Sequence, residues 1–396
     1  MKKHLVLGAL AVLALAACTK SEVVELNKGN EISLTAVTGK NLTKAADGYC
    51  NNSLPGNFQV WASTTISKDV YFKNETYTQA SGTTYTSATA HYWPEEHLDF
   101  FAAKNHNGTV TFDPSATAPD APFTFTGYTV NSSVSAQTDF IYAVNKDQAK
   151  ASGATLNFRH ALSQIEFKAK NSNSSIRVFI DGIKVANVKS KGNFAVTGET
   201  DGTVVDHDHA FDPLHPDSDP RETESRGVWK NQDVNASYSV SFTEKEVASG
   251  STVDLTYSSG EYNQNSMYLL PQPLDVWTGG VAAEDPTQDK AYFVVNALIY
   301  NVADPSVPFV AGDNVVLWGK ESSPGAGDWS TKEIAVKIPA GQTWEDGKRY
   351  VYTFNFTTYG TGGTDPGTGT PVLTPIELTV SVDDFVDAGN TNVDVK

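Results

Sequence analysis

One habit narrows the folds open to this chain: it is written in short alternating runs separated by turn residues. Stretches such as 57-NFQVWAST-64, 98-LDFFAAKN-105, 123-FTFTGYTV-130, 163-SQIEFKAKN-171, 291-AYFVVNALIYNV-302 and 349-RYVYTFNF-356 carry β-branched or aromatic residues at near-alternate positions. Successive side chains of a strand point to opposite faces, so a period of two marks a half-buried strand. Asn-Gly, Asp-Gly and Ser-Gly pairs between the runs supply the backbone freedom that tight hairpins require. Such runs are too numerous for one ordinary sandwich. The expectation is an all-β chain of two tandem β-sandwiches, spanning 45–155 and 156–356. The polar stretch 145-NKDQAKASG-153 marks the change between them.

Composition supports this where it bears on the question. Sixteen Tyr and 19 Phe against 2 Met suit pleated surfaces better than helices. The net charge of −17 opposes a nucleic-acid partner, because phosphate binding needs a basic patch.

The N-terminus has its own grammar. Lys2 and Lys3 precede the apolar run 5-LVLGALAVLALAA-17, which is short for a membrane span and reads as a signal peptide, residues 1–17. The run 15-LAAC-18 resembles a lipobox, so Cys18 is the expected lipid-bearing N-terminus of the mature chain, anchored to the outer membrane. Cys50 is then the one remaining thiol and has no partner for an internal disulfide.

Two strand-like segments sit on tethers. In 31-EISLTAV-37, Ile32, Leu34 and Ala36 share one face. A polar, basic loop ending at Lys44–Ala45 follows. At the other end, 357-TTYGTGGTDPGTGTPVLTP-375 reads as a flexible Gly/Thr linker. Beyond it, 376-IELTVSVDDFV-386 places Ile376, Leu378, Val380 and Val382 on alternate positions, with Phe385, Val386, Val393 and Val395 further on. This last run reads either as an exchangeable strand or as the final strand of its own sandwich, with only the tail beyond it exchanging.

Motifs of catalysis are missing from the sequence: no GxSxG, HExxH, Walker loop or CxxC pair occurs. Glu95 and Glu96 are adjacent, and adjacent residues of a strand face opposite ways, so they read as turn residues and not as an acid–base pair. The segment 206-DHDHAFDPLHPDSDPRE-222 gathers His207, His209, His215, Asp206, Asp208, Asp212, Asp217 and Asp219. These are metal-ligand types without a tetrahedral spacing signature, and the segment reads first as an acidic surface insertion. Trp229, Trp277 and Trp318 are candidates for stacking on sugars, against the plainer reading as core residues. No enzyme activity and no cofactor are expected.

Several stretches taken in order resemble the fimbrillin family, the Mfa-like subunits of type V pili. They are 49-YCNNSLPGNFQVWA-62, 92-YWPEEHLDFFA-102, 156-LNFRHALSQIEFKAKN-171, 182-GIKVANVKSKGNF-194, 267-MYLLPQ-272, 344-WEDGKRYVYTFNF-356 and 376-IELTVSVDDFV-386. The resemblance implies two transthyretin-like sandwiches and a lipoprotein precursor carried to the cell surface. It further implies that a trypsin-like protease removes an N-terminal segment including the first strand, and that the groove left behind takes a strand from another subunit. On this chain the removed segment is 18–44, its plug strand carries Ile32, Leu34 and Ala36, and the cut falls between Lys44 and Ala45. The donor lies within 372–396. The family places Arg before the cut, whereas the first Arg here is Arg159, leaving only Lys40 or Lys44. The expected role is that of a stalk subunit, with copies of itself and related pilins as partners. The competing reading is a surface lipoprotein that binds glycans and does not polymerise.

Overall fold

The computed structural model describes residues 31–38, 56–116, 121–151, 153–196, 227–256, 265–282, 290–304, 306, 308–358, 362–372, 374 and 376–384. Chain order gives β1 (Leu34–Thr38), β2 (Asn57–Thr64), β3 (Val70–Ser81), β4 (Thr84–Ser87), β5 (Leu98–Lys104), β6 (Thr109–Phe112), β7 (Phe123–Thr129), β8 (Ile141–Gln148) and β9 (Ala154–His160). It continues with β10 (Ser163–Asn171), β11 (Ile176–Val196), β12 (Gly227–Val247), β13 (Thr252–Asp254), β14 (Met267–Leu269) and β15 (Tyr292–Asn301). Last come β16 (Val315–Trp318), β17 (Lys320–Glu321), β18 (Trp329–Ser330), β19 (Lys332–Val336), β20 (Lys348–Phe356) and β21 (Ile376–Asp384). The all-β expectation holds. Two 3-10 turns, Val134–Ala136 and Ala311–Asp313, are the helical residues among those described.

The first sheet closes on itself in the order β1-β4-β3-β2-β5-β8-β9, with β9 returning to β1. Closure removes free edges, which an open sheet would leave as rows of unpaired N–H and C=O groups. Its interior is apolar and aromatic. Phe58, Tyr77, Tyr85, Phe100 and Phe158 are all at most 1% exposed. The ring of Phe58 lies 4.9 Å from that of Tyr85 and 4.9 Å from that of Phe158.

The second unit is a sandwich. One sheet runs β13-β10-β20-β21, with β14 also on β10; the other runs β16-β15-β11-β7-β6, with β12 on β11 and β19 on β15. Phe167 of the first sheet meets Phe293 of the second edge-on at 5.2 Å, and Phe293 meets Tyr352 at 4.6 Å. Edge-on packing of this kind suits the charge distribution of the rings.

The sheets divide the chain differently from the expected 45–155 and 156–356. The hairpin β6–β7 lies inside the first half of the sequence, yet it pairs with β11 of the second unit, Phe125 opposite Phe194. The crossing is possible because β11 is 21 residues long. Its register shifts at Ile180/Gly182, Val185/Val188 and Lys191/Asn193 against β12 let so long a strand bend. The link between the units is also buried: between β9 and β10, Ala161 and Leu162 are both 0% exposed. A polar stretch such as 145–153 is therefore not where the chain passes from one unit to the other.

The stretch expected as a flexible linker is held in place over residues 362–372. Ala335 and Thr364 exchange backbone hydrogen bonds at 2.8 and 3.0 Å, and the Val372 N–H donates to Gly363 O at 2.9 Å. Asp365 is the clasp. Its carboxylate accepts from the N–H groups of Gly367 and Thr368, each at 2.9 Å, and lies 2.6 Å from Lys332 Nζ. Glycine is needed at 363 for approach: a Cβ there would stand 2.3 Å from Ile334 Cγ2 and 2.9 Å from Ala335 O. Gly/Thr-rich composition reads as mobility only when no side chain offers the backbone a partner, and Asp365 offers two.

Candidate functional site in the first sheet

The strand β1 is built from five residues and occupies a slot between two neighbours. It pairs with β9 in parallel through Leu34–Ala154, Thr35–Thr155, Ala36–Leu156, Val37–Asn157 and Thr38–Phe158. It pairs with β4 antiparallel through Leu34–Tyr85 and Thr35–Thr84. Beyond the strand proper, the Ile32 N–H donates to His91 O at 2.8 Å and the Ala36 N–H to Thr83 O at 2.9 Å. Both edges of the segment are thus satisfied by backbone.

Alternation decides which side chains fill the barrel. Ile32, Leu34 and Ala36 are 1%, 1% and 0% exposed, whereas Glu31 and Ser33 face solvent. The three apolar groups join the cluster of Phe58, Val60, Tyr77, Tyr85, Leu98, Phe100, Leu156 and Phe158. All three expected plug residues are brought together. Val37 is also buried, at 7%, on the opposite face; alternation gave no sign of it.

The slot is dry. Burial pushes the Tyr77 phenol up to about 12, and the carboxylates of Glu75 and Glu31 add to the rise. Glu31 is the residue at the entry of β1, bridged to Tyr92. The wall nearby is braced by His91, whose ring stacks 4.3 Å from that of Phe72. Glu96 takes the turn role read from the sequence. Its carboxylate accepts from the N–H groups of Ser67 at 2.8 Å and Ile66 at 2.6 Å, and these bonds hold it below the usual carboxylate range.

The residues read as an exchangeable strand lie in β21, and β21 pairs with β20 of its own chain over nine residues, from Lys348–Asp384 to Phe356–Ile376. It stands at the end of its sheet order, so among the described residues no strand pairs with its far edge. Ile376 is 2% exposed, Leu378 and Val380 are partly buried, and Val382 is 50% exposed. Burial falls from Ile376 to Val382. In the uncut chain the strand is thus seated in its own sandwich.

Of the three tryptophans singled out in the sequence, Trp277 and Trp318 are buried and Trp229 is partly buried, whereas Trp329 is 38% exposed. Trp277 and Trp318 are both 8% exposed; Trp229 donates its indole N–H to Ala161 O at 2.6 Å and packs on Phe194 and Tyr128. Lys332 lies over the Trp318 ring at 4.3 Å from its centre. Cys18, Lys44, Ala45, Cys50, His207, His209, Asp212, His215, Phe385 and Val386 lie outside the described residues.

Comparison with known proteins supplies the remaining finding. No curated protein matches the chain. Among solved structures, a fimbrial protein from Bacteroides vulgatus matches over 90% of this chain and 100% of its own, at 14% identity and a TM-score of 0.52. A putative cell adhesion protein from Bacteroides ovatus matches over 90% and 98%, at 12% identity and a TM-score of 0.46. The tip fimbrial protein Mfa3 from Porphyromonas gingivalis matches over 89% and 99%, at 9% identity and a TM-score of 0.35. The family model described as fimbrillin-like matches residues 19–382, nearly the whole chain, and the protein belongs to that family.

Proposed function

We propose that the protein is a stalk subunit of a surface fimbria, made as a lipoprotein precursor and assembled by strand exchange. In this reading Cys18 carries the lipid, a trypsin-like protease cuts after Lys44, and β1 leaves with residues 18–44. The barrel then opens between β4 and β9, and a strand from another subunit fills the slot. Repetition gives a head-to-tail polymer that serves adhesion.

The observation that carries this reading is the seating of β1. A five-residue strand near one end of the chain closes an otherwise complete barrel. Its loss would expose unpaired N–H and C=O groups on β4 and β9 and uncover the sockets of Ile32 and Leu34. Those two side chains contribute about 1.5–3 kcal/mol each by burial. A groove with these properties accepts a strand readily.

The donor in this reading is the C-terminal strand, with Ile376, Leu378, Val380 and Val382 in β21 and Phe385 and Val386 beyond it. In its own sheet β21 is paired on one side only, to β20. In the slot a strand is paired on both sides. That difference favours exchange once β1 is gone and opposes it while β1 is present, so cleavage is the natural trigger. The burial of Trp277 and Trp318 takes two of the three tryptophans that suggested the glycan-binding alternative out of reach of a ligand.

Low-dose trypsin on the purified, lipid-free protein tests the reading. The N-terminus should move to Ala45, and a ladder of oligomers should appear on a non-boiled gel. A variant ending at Pro371 should be trimmed and stay monomeric. Trimming that leaves the intact protein monomeric would sink the proposal.

A further inference from the structure

The three sockets vacated by β1 differ in size. Ile32 and Leu34 are large, and Ala36 is small yet 0% exposed. Ala36 belongs to the same buried cluster as Phe58, Tyr85, Leu156 and Phe158. Leu156, its partner on β9, is 0% exposed. On either side along β1 stand the partners of Leu34 and Thr38, namely Tyr85 and Phe158. The Phe58 ring touches both of theirs, 4.9 Å from each. A longer side chain at 36 would point into a cluster already packed with these aromatic rings.

We propose that the slot selects its incoming strand by size at this third position. The strand it fits best carries large, large and small apolar residues at alternate positions and runs parallel to β9. This deepens the strand-exchange reading and rests on it. The inference has a consequence for the partner. Read in this direction, β21 offers Ile376, Leu378 and Val380, or, shifted by two, Leu378, Val380 and Val382. Both frames put Val where the slot holds Ala. No frame between 376 and 396 sets two large apolar residues before a small one. The best occupant is accordingly a strand of a related subunit with Ala, Gly or Ser at the third position, and a copy of this chain is a poorer one. Overfilling a packed interior is destabilising even by a methyl group or two.

Competition between peptides tests this on the whole chain. Lipid-free protein is trimmed with trypsin at high dilution in the presence of a labelled peptide of residues 30–38. Unlabelled competitors are a peptide of residues 374–384, its Val380→Ala and Ile376→Ala forms, and the 30–38 peptide with Ala36→Val. Neither parent peptide contains Lys or Arg, so trypsin leaves them intact. The Val380→Ala peptide should compete about fivefold or more better than its parent, and Ala36→Val should weaken the plug peptide by a similar factor. The Ile376→Ala peptide should compete worse than its parent. A Val380→Ala peptide no better than its parent overturns the size rule while leaving strand exchange standing. Failure of the labelled 30–38 peptide to bind overturns both.

Discussion

Leu34 lies opposite Tyr85 across the antiparallel pair of β1 and β4, and neither side chain is more than 1% exposed. A residue from the first tenth of the chain is thus a full member of the barrel core. Leu34→Ala should destabilise the uncut protein by about 2–5 kcal/mol, the usual cost of emptying a buried Leu site. Urea unfolding before and after trimming checks this. The variant and the parent should become indistinguishable once β1 has been removed. Ser33→Ala, on the exposed face, should stay within about 0.5 kcal/mol of the parent.

Tyr77 reports whether the slot is filled. In the intact protein burial raises its phenol to about 12, with Glu75 and Glu31 adding to the rise. A raised folded value means the contribution to stability is fully present below pH 10 and is lost as pH climbs from about 10 to about 12. Trimming removes Glu31 and admits water, so the Tyr77 midpoint should fall toward the ordinary value. Phenolate absorbance of parent and Tyr77→Phe proteins, each before and after trypsin, isolates this one group.

Asp365 ties the segment 362–372 to β19. Its carboxyl is held below the usual range, first by Lys332 and then by the N–H groups of Thr368 and Gly367. A depressed folded value means the stabilisation is present above the unfolded value of about 3.9 and is lost as pH falls below it toward the folded one. The amides of Gly367 and Thr368 should lose hydrogen-exchange protection over that acid range. Asp365→Asn should flatten the dependence, and Lys332→Met should shift it toward the ordinary carboxylate range.

Exposure along β21 predicts a graded response. Ile376→Ala should cost about 2–5 kcal/mol in the uncut protein. Val382→Ser, at a half-exposed site, should cost about 0.5 kcal/mol or less. Thermal unfolding of the two variants compares them directly. Equal costs would mean that β21 is held evenly along its length, against the gradient from Ile376 to Val382.

Much of the barrel was legible in single stretches. The run 57–64 became β2 with the same bounds, and Ile32, Leu34 and Ala36 turned inward as their spacing required. The linker was misread for a local reason. Its Gly/Thr composition hid one carboxylate, Asp365, that satisfies two backbone N–H groups and binds a lysine 33 positions earlier in the chain. Residues that far apart leave no mark in a local pattern. The tryptophans were ambiguous because an indole has the same sequence signature whether it stacks on a ligand or packs on Phe194.

By itself the sequence determined the all-β class, the inward turn of Ile32, Leu34 and Ala36 and the presence of a good strand at either end. Those follow from alternation, which is a property of neighbours along the chain. Only the tertiary structure decided that β1 closes a barrel between β4 and β9, that β6–β7 crosses to the second unit, and that the third socket is small. These depend on which strands meet and on how much space the rings of Phe58, Tyr85 and Phe158 leave between them. Space of that kind is set by side chains far apart in sequence, so it becomes visible only when the chain has folded.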